Sequence, residues 1–406
     1  MVQNTVANAY PGAVYDGLVI TCAFPDVLSA GAQFADYHLL RLYFENPLRW
    51  GAGIIWPPVQ WGLVEGRPDP VNAIVADEAL FKGATNPVGG CVPAGQGYDP
   101  QSNPGGVRCS ILDYMINVLG PRPQSVWSPM EKLAGRGFAG QPFGNAGIQY
   151  GLQALEQHLI TPAQFVDLNS AIGGGDIDLN PTTARLAGDD GAVVNAYRSG
   201  LINEMNNMSG VAIIDHAGPD PGAAHDYAHT WWIRDRLDRA QGQHGNQVLW
   251  FGPAPLIGDV TWPTKALLAM DRWLAAVERD HSDVSRARKI LGDRPADIRD
   301  ECLIDICKQY VATRYGTPRQ VAGGSELNDI VKCQREPLSR GAHGATFTDA
   351  EWAELRQAFP AGVCDWSKPG VGQQNNIPWL TYQDAEGQVI YGGRPMGPPP
   401  QSVPLG

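Results

Sequence analysis

Apolar positions along the chain fall into two patterns, short unbroken runs and helical stripes. Leu18, Val19 and Ile20 form such a run within YDGLVITCAF (15–24), and further runs lie in GVAIIDHAG (210–218) and NQVLWFGP (246–253). Runs this short, without alternation and flanked by turn residues, predict strands buried on both faces, as in a parallel sheet covered by helices. Helical spacing predicts helices over 31–46 and 147–159, the second carrying Ile148, Leu152, Leu155 and Leu159 on one face. It predicts two more near 225–240 and through TKALLAMDRWLAAVERD (264–280), where Leu267, Met270, Leu274 and Val277 share a face. Val2–Pro11 reads as the end of a helix running into a Pro-Gly turn. Thr161-Pro162-Ala163-Gln164 is a capping box with proline at the first helical position, and Thr348-Asp349-Ala350-Glu351 caps a last helix.

Apolar strands alternating with helices predict an α/β layered domain with right-handed crossovers. Two stretches break the pattern. Residues 47–146 are loop-rich and carry Trp50, Trp56, Trp61 and Trp127, and the chain after about 285 is irregular.

Composition narrows the classes. Charged residues are only 18%, while 48 Gly and 33 Pro make about a fifth of the chain, which predicts many ordered loops. With 12 Trp, 13 Tyr and 10 Phe the chain is too rich in buried-type side chains to be disordered. A net charge of −12 without a basic stripe argues against a nucleic-acid partner. No apolar run reaches the roughly 18 residues of a membrane span, and MVQNTVANAYPG lacks the pattern of a signal peptide.

Seven cysteines point to an oxidising compartment. None forms CxxC and no His stands at finger spacing, which disfavours structural zinc. Most lie in Gly- and Pro-rich segments, where local disulfides Cys91–Cys109, Cys302–Cys307 and Cys333–Cys364 are expected, leaving Cys22 over. That implies a secreted or periplasmic protein. The alternative is seven reduced, mostly buried thiols.

Titratable groups are densest in Asp215-His216-Ala-Gly-Pro-Asp220-Pro-Gly-Ala-Ala-His225-Asp226-Tyr-Ala-His229. This segment follows an apolar strand, where open α/β sheets place their ligand crevices. Asp220 occupies the place of a carboxylate that orients a catalytic histidine, although between two prolines it also reads as a turn residue. His225 and His229 share one helix face, where His225 also reads as a first-turn residue and His229 as a packed one. The helix lacks the glutamate of an HExxH zinc site, and no metal or cofactor is expected. Gly173-Gly174-Gly175-Asp176 reads as a helix C-terminal glycine cluster rather than a phosphate loop. No G-x-S-x-G occurs, and Ser29, in Val-Leu-Ser29-Ala-Gly31, is only a partial look-alike.

Several stretches resemble a family of secreted bacterial α/β-hydrolase-like proteins of unknown function, distantly similar to tannase and hydroxybutyrate-oligomer hydrolase esterases. They are ANAYPGAVYDGLVITCAFPD, NPGGVRCSILDYMINVLG, GIQYGLQALEQHLITPAQFVDLNSAIGGGDID, AIIDHAGPDPGAAHDYAHTWWIRDRL, NQVLWF, VKCQREPL and FPAGVCDWSKPGV. The resemblance implies a partial α/β-hydrolase-type sheet, the back half after the nucleophile elbow, with a Trp-containing lid insertion and a disulfide-bearing C-terminal extension. It divides the chain into core (1–46), lid or insertion (47–209), late core strands and helices (210–285) and extension (286–406). The family's serine maps upstream of Met1, so an N-terminal part is expected to be missing. The loop after NQVLWF holds no His before His281, which leaves His225 as general base, with Asp220, or Asp215 as second choice, orienting it. The implied substrate is a small-molecule or oligomeric carboxylic ester. The alternatives are a non-catalytic, hydrolase-derived binding or interaction module, or a redox or metal protein built on His225, His229 and the cysteines.

Overall fold

The computed structural model describes residues 1–12, 14–21, 23–67, 71–217, 228–252, 260–302, 315–379, 382–383 and 389–391. They belong to two compact units, one of residues 1–27, 197–315 and 374–396, the other of 28–196, 316–373 and 397–406. The principal elements begin with helix α1 (Val2–Ala9), strand β1 (Gly17–Thr21) and helices α2 (Val27–Phe44), α3 (Pro58–Glu65) and α4 (Pro162–Ala171). Then come β2 (Ala212–Ala217), α5 (Ala228–Gln241), β3 (Gln247–Phe251), α6 (Thr261–Arg279), α7 (Arg286–Gly292) and β4 (Glu301–Cys302). Strand β5 (Arg335–Glu336), helix α8 (Asp349–Ala358) and strand β6 (Val363–Cys364) follow.

In the first unit β1, β2, β3 and β4 lie side by side in that order, and every pairing is parallel. The unbroken apolar runs are the reason, since alternate side chains leave a strand on opposite faces and here both faces are covered. Leu18, Ile20 and Ile213 pack with Ala7 of α1 and with Ile233 and Leu237 of α5. Ala212, Ile214, Val248 and Trp250 pack on the other side with Trp262, Met270 and Trp273 of α6. Gly17 permits the close approach of α6, because a Cβ there would collide with the Met270 sulfur.

The stripe that α6 buries differs from the expected one. Trp262, Ala266, Ala269, Met270, Trp273 and Val277 are buried, whereas Leu267 is 64% exposed. The two tryptophans set the helix rotation: each buries more area than any leucine, and Leu267 lies about 100° round the axis from Ala266.

The second unit is mainly helical around Tyr43, Phe44, Trp56, Phe165, Leu168 and Leu355. Both capping boxes form as expected, on α4 by Thr161 and Gln164 and on α8 by Thr348 and Glu351. Residues 47–146 hold more regular structure than their composition suggests, including α3 and a further helix that passes into a π turn over Ala76–Phe81. Tryptophans in this stretch brace the unit: the indoles of Trp50, Trp56 and Trp61 donate to the Tyr43 carbonyl, the Tyr43 hydroxyl and the Trp56 carbonyl.

A continuous helix over 147–159 does not form. Only Leu152–Glu156 is helical, because Gly147 and Gly151 take positive φ of 93° and 80°. The Asn169 side chain meanwhile bonds both the N–H and the carbonyl of Tyr150.

Two of the expected disulfides are present, Cys91–Cys109 and Cys333–Cys364, with Cα atoms 5.6 and 5.4 Å apart. Cys302 is disulfide-bonded. Cys307 and Cys22 lie outside the described residues.

Candidate active site at the strand ends

Strand β2 carries Asp215 and His216 toward its carboxyl end, and the alternation of the strand sends them to opposite faces. Asp215 follows Ile213 to the α1 and α5 side, and His216 lies against Trp262 with ring centroids 4.1 Å apart. Both residues are fully buried.

Asp215 is held by a relay. The Gln247 amide nitrogen donates to Asp215 Oδ2 at 2.6 Å, while the Arg234 Nε donates to a Gln247 side-chain oxygen 3.1 Å away. Arg234 is anchored by two further bonds to Asp300, of 2.6 and 2.9 Å. An arginine only donates, so it fixes which end of the Gln247 amide faces Asp215. Asp215 Oδ1 has no hydrogen-bond partner among the described residues. Burial pushes this carboxyl up to about 7, against the opposing pull of the Gln247 bond, the Met1 amino group and Arg234. The Met1 amino group lies close enough to interact with both Asp215 and Asp26.

Around this carboxyl the unit is stiffened by polar pairs. Asp26 and Arg236, both fully buried, form an ion pair of 2.6 Å. The Asn203 N–H also donates to Asp26, and Arg236 donates to the Asn203 carbonyl at 2.8 Å. Asn4 of α1 donates to the Phe24 carbonyl. His229 is buried, stacked on Phe24 at 4.0 Å and edge-on to Trp232 at 4.5 Å.

Of the sequence-predicted residues, the structure therefore places Asp215 in the buried strand end and His229 in aromatic packing. His225 and Asp220 lie outside the described residues. Ser29 is buried within α2. Gln247, Arg234, Asp26 and Arg236 were not legible as site residues. One signal for them existed: Arg236 stands between Ile233 and Leu237 on the apolar stripe of a helix, a position that demands a buried partner.

The second unit contains another oriented imidazole. His38 Nδ1 lies 2.8 Å from Asp77 Oδ1, and Asp77 is also bonded by Arg41 at 2.8 Å. His38 lines a small cavity of ≈ 260 Å³ with Phe81, Lys82 and Thr85. The Thr85 hydroxyl is bonded to the Phe81 carbonyl at 2.6 Å, and no hydroxyl or thiol bonds to His38 among the described residues. An imidazole held this way supplies a base, and among the described residues no hydrogen-bonded nucleophile stands beside it.

Among the described residues no group of three or more His, Cys, Asp and Glu side chains could hold a metal ion. No helix among them is long and apolar enough to cross a membrane. Searches of curated proteins and of solved structures returned no match. A family model described as a tannase-like family of unknown function (DUF6351) matches residues 1–375. With nearly the whole chain covered by that model, this parallel-sheet protein belongs to the tannase-like family.

Proposed function

We propose that the chain carries the acid–base residues of an esterase-type hydrolase acting on carboxylic esters, with its crevice at the carboxyl ends of β1, β2 and β3. The observation that carries this reading is Asp215, a fully buried carboxyl at the end of a central parallel strand with one oxygen unpaired among the described residues. A carboxyl so placed is suited to accept an imidazole N–H and to steady the imidazolium that forms when the histidine takes a proton. Membership of a tannase-like family supports the same chemistry.

In this reading a serine attacks the ester carbonyl. His225 accepts its proton and returns it to the leaving alcohol, and Asp220 or Asp215 orients the imidazole. The disulfides Cys91–Cys109 and Cys333–Cys364 suit a secreted protein.

The test is hydrolysis of a 4-nitrophenyl ester by the complete natural gene product, together with labelling by a fluorophosphonate. Ester turnover, one labelled serine, and loss of kcat/KM on Asp215→Asn or Asp220→Asn are expected. Absence of both turnover and label sinks the proposal and favours a non-catalytic binding module.

A further inference from the structure

A cleft of ≈ 760 Å³ opens in the second unit, and three features mark it as a binding site for an anion with an apolar body. The first is its shape. Helix α8 lines it with Ala350, Ala353, Glu354 and Gln357, which recur at helical spacing, and the alanines leave room that larger side chains would fill. Phe359, Pro360 and Ala361 continue the apolar lining.

The second feature is a cation hydrogen-bonded only to neutral groups among the described residues, with the Asp36 carboxylate acting on it through space. Arg185 gives its four terminal N–H groups to neutral oxygens: the carbonyls of Asn145, Ile148 and Asn169 and the Asn169 side chain, at 2.8–3.2 Å. Its guanidinium lies 4.7 Å from the centre of the Phe359 ring. No carboxylate bonds to it among the described residues, and burial pulls it down to about 10.

The third feature is a free donor on a rigid rim. Arg335 of β5 pairs in antiparallel register with Cys364 of β6, and the Cys333–Cys364 disulfide ties the same two segments. Its stem rests on Gly147, where a Cβ would stand 3.3 Å away. The Arg335 side chain is exposed and forms no ion pair or hydrogen bond among the described residues. Against these two arginines the lining offers one carboxylate, Glu354.

We propose that this cleft binds a small organic carboxylate, its anionic end on the Arg335 guanidinium and its apolar body against Phe359, Pro360 and the alanines of α8. Arg335 supplies the planar fork that fits a carboxylate. Arg185 has its terminal donors engaged and acts on the anion through its field alone.

Titration calorimetry on the whole chain at fixed ionic strength tests it with benzoate, the neutral isostere benzamide, and sulfate. Benzoate should bind saturably, and Arg335→Gln should weaken it about tenfold or more, the worth of a charge-assisted bond. Ala353→Phe, which fills the cleft, should abolish binding. Unchanged melting temperatures in both variants confirm that the fold is intact, and a full-strength benzoate site in either folded variant overturns the proposal. So does a wild-type chain that shows no saturable benzoate, or that takes benzamide or sulfate as tightly as benzoate.

Discussion

Gln247 stands two residues off the register partner of Asp215, and that diagonal brings its amide nitrogen 2.6 Å from Asp215 Oδ2. The pair crosses from one parallel strand to the next on a single face of the sheet, and Arg234 fixes the amide from the other side. The carboxyl is thus positioned with one oxygen engaged and the other without a partner among the described residues. It is also costly to ionise, and the cost can be measured.

Asp215 titrates in the folded chain near 7, against an ordinary value of 3.8, because of its burial. Between those values the unfolded chain releases the proton while the folded chain keeps it. Stability therefore falls as pH rises from about 4 to 7, and the slope vanishes above. Asp215→Asn should remove this dependence and make the chain more stable at neutral pH, by about 2–4 kcal/mol. The difference between wild-type and variant urea midpoints over that pH range isolates the effect. Equal slopes in the two proteins would show that Asp215 is ionised in the fold.

The Asp26–Arg236 pair predicts an asymmetry. With both side chains fully buried, removing one partner leaves an uncompensated charge in the core. Arg236→Met should cost about 3–5 kcal/mol. The double variant Asp26→Leu with Arg236→Met should recover most of that loss, since a matched apolar pair removes both desolvation penalties. Guanidinium unfolding of the two proteins decides it, and a double variant no better than the single one would assign the stability to the Asn203 bonds.

Disulfide mapping offers a third check. Non-reducing peptide maps should show Cys91 joined to Cys109 and Cys333 joined to Cys364. The second bond closes a segment of sequence separation 31, so Cys333→Ala with Cys364→Ala should destabilise the chain by about 3 kcal/mol. Freely alkylatable thiols at these four positions in the native protein would contradict the map.

Much of the sheet was legible from sequence because a doubly covered parallel strand leaves a plain mark. The runs around Ile20, Ile214 and Leu249 are such marks, and all three pair in the sheet. Capping at Thr161 and Thr348 was equally readable, since a local hydrogen bond needs only local sequence. The stripe of α6 was misjudged because counting leucines ignores how strongly Trp262 and Trp273 claim the buried face. The supposed helix over 147–159 failed at Gly147 and Gly151, whose backbone follows contacts made by distant residues such as Asn169. The same limit applies to the site. Asp215 stood out at a strand end, whereas its partners Gln247 and Arg234 are joined to it only by register and helix packing.

The final prediction separates two histidines four residues apart. His229 is enclosed by Phe24 and Trp232, so His229→Ala removes a packed ring from the first unit and should cost about 2 kcal/mol or more of stability. Its effect on turnover should be small once the protein is assayed well below its melting temperature. His225 is the proposed general base, and His225→Ala should leave the melting temperature nearly unchanged. In the complete natural gene product it should lower kcat/KM for a 4-nitrophenyl ester by about 10²–10⁴-fold. Loss of the base also disables the serine, so fluorophosphonate labelling should slow in parallel with turnover. The reverse pattern, activity lost with His229→Ala and retained within a few-fold with His225→Ala, would move the base to the inner face of α5 and place Phe24 in the catalytic wall.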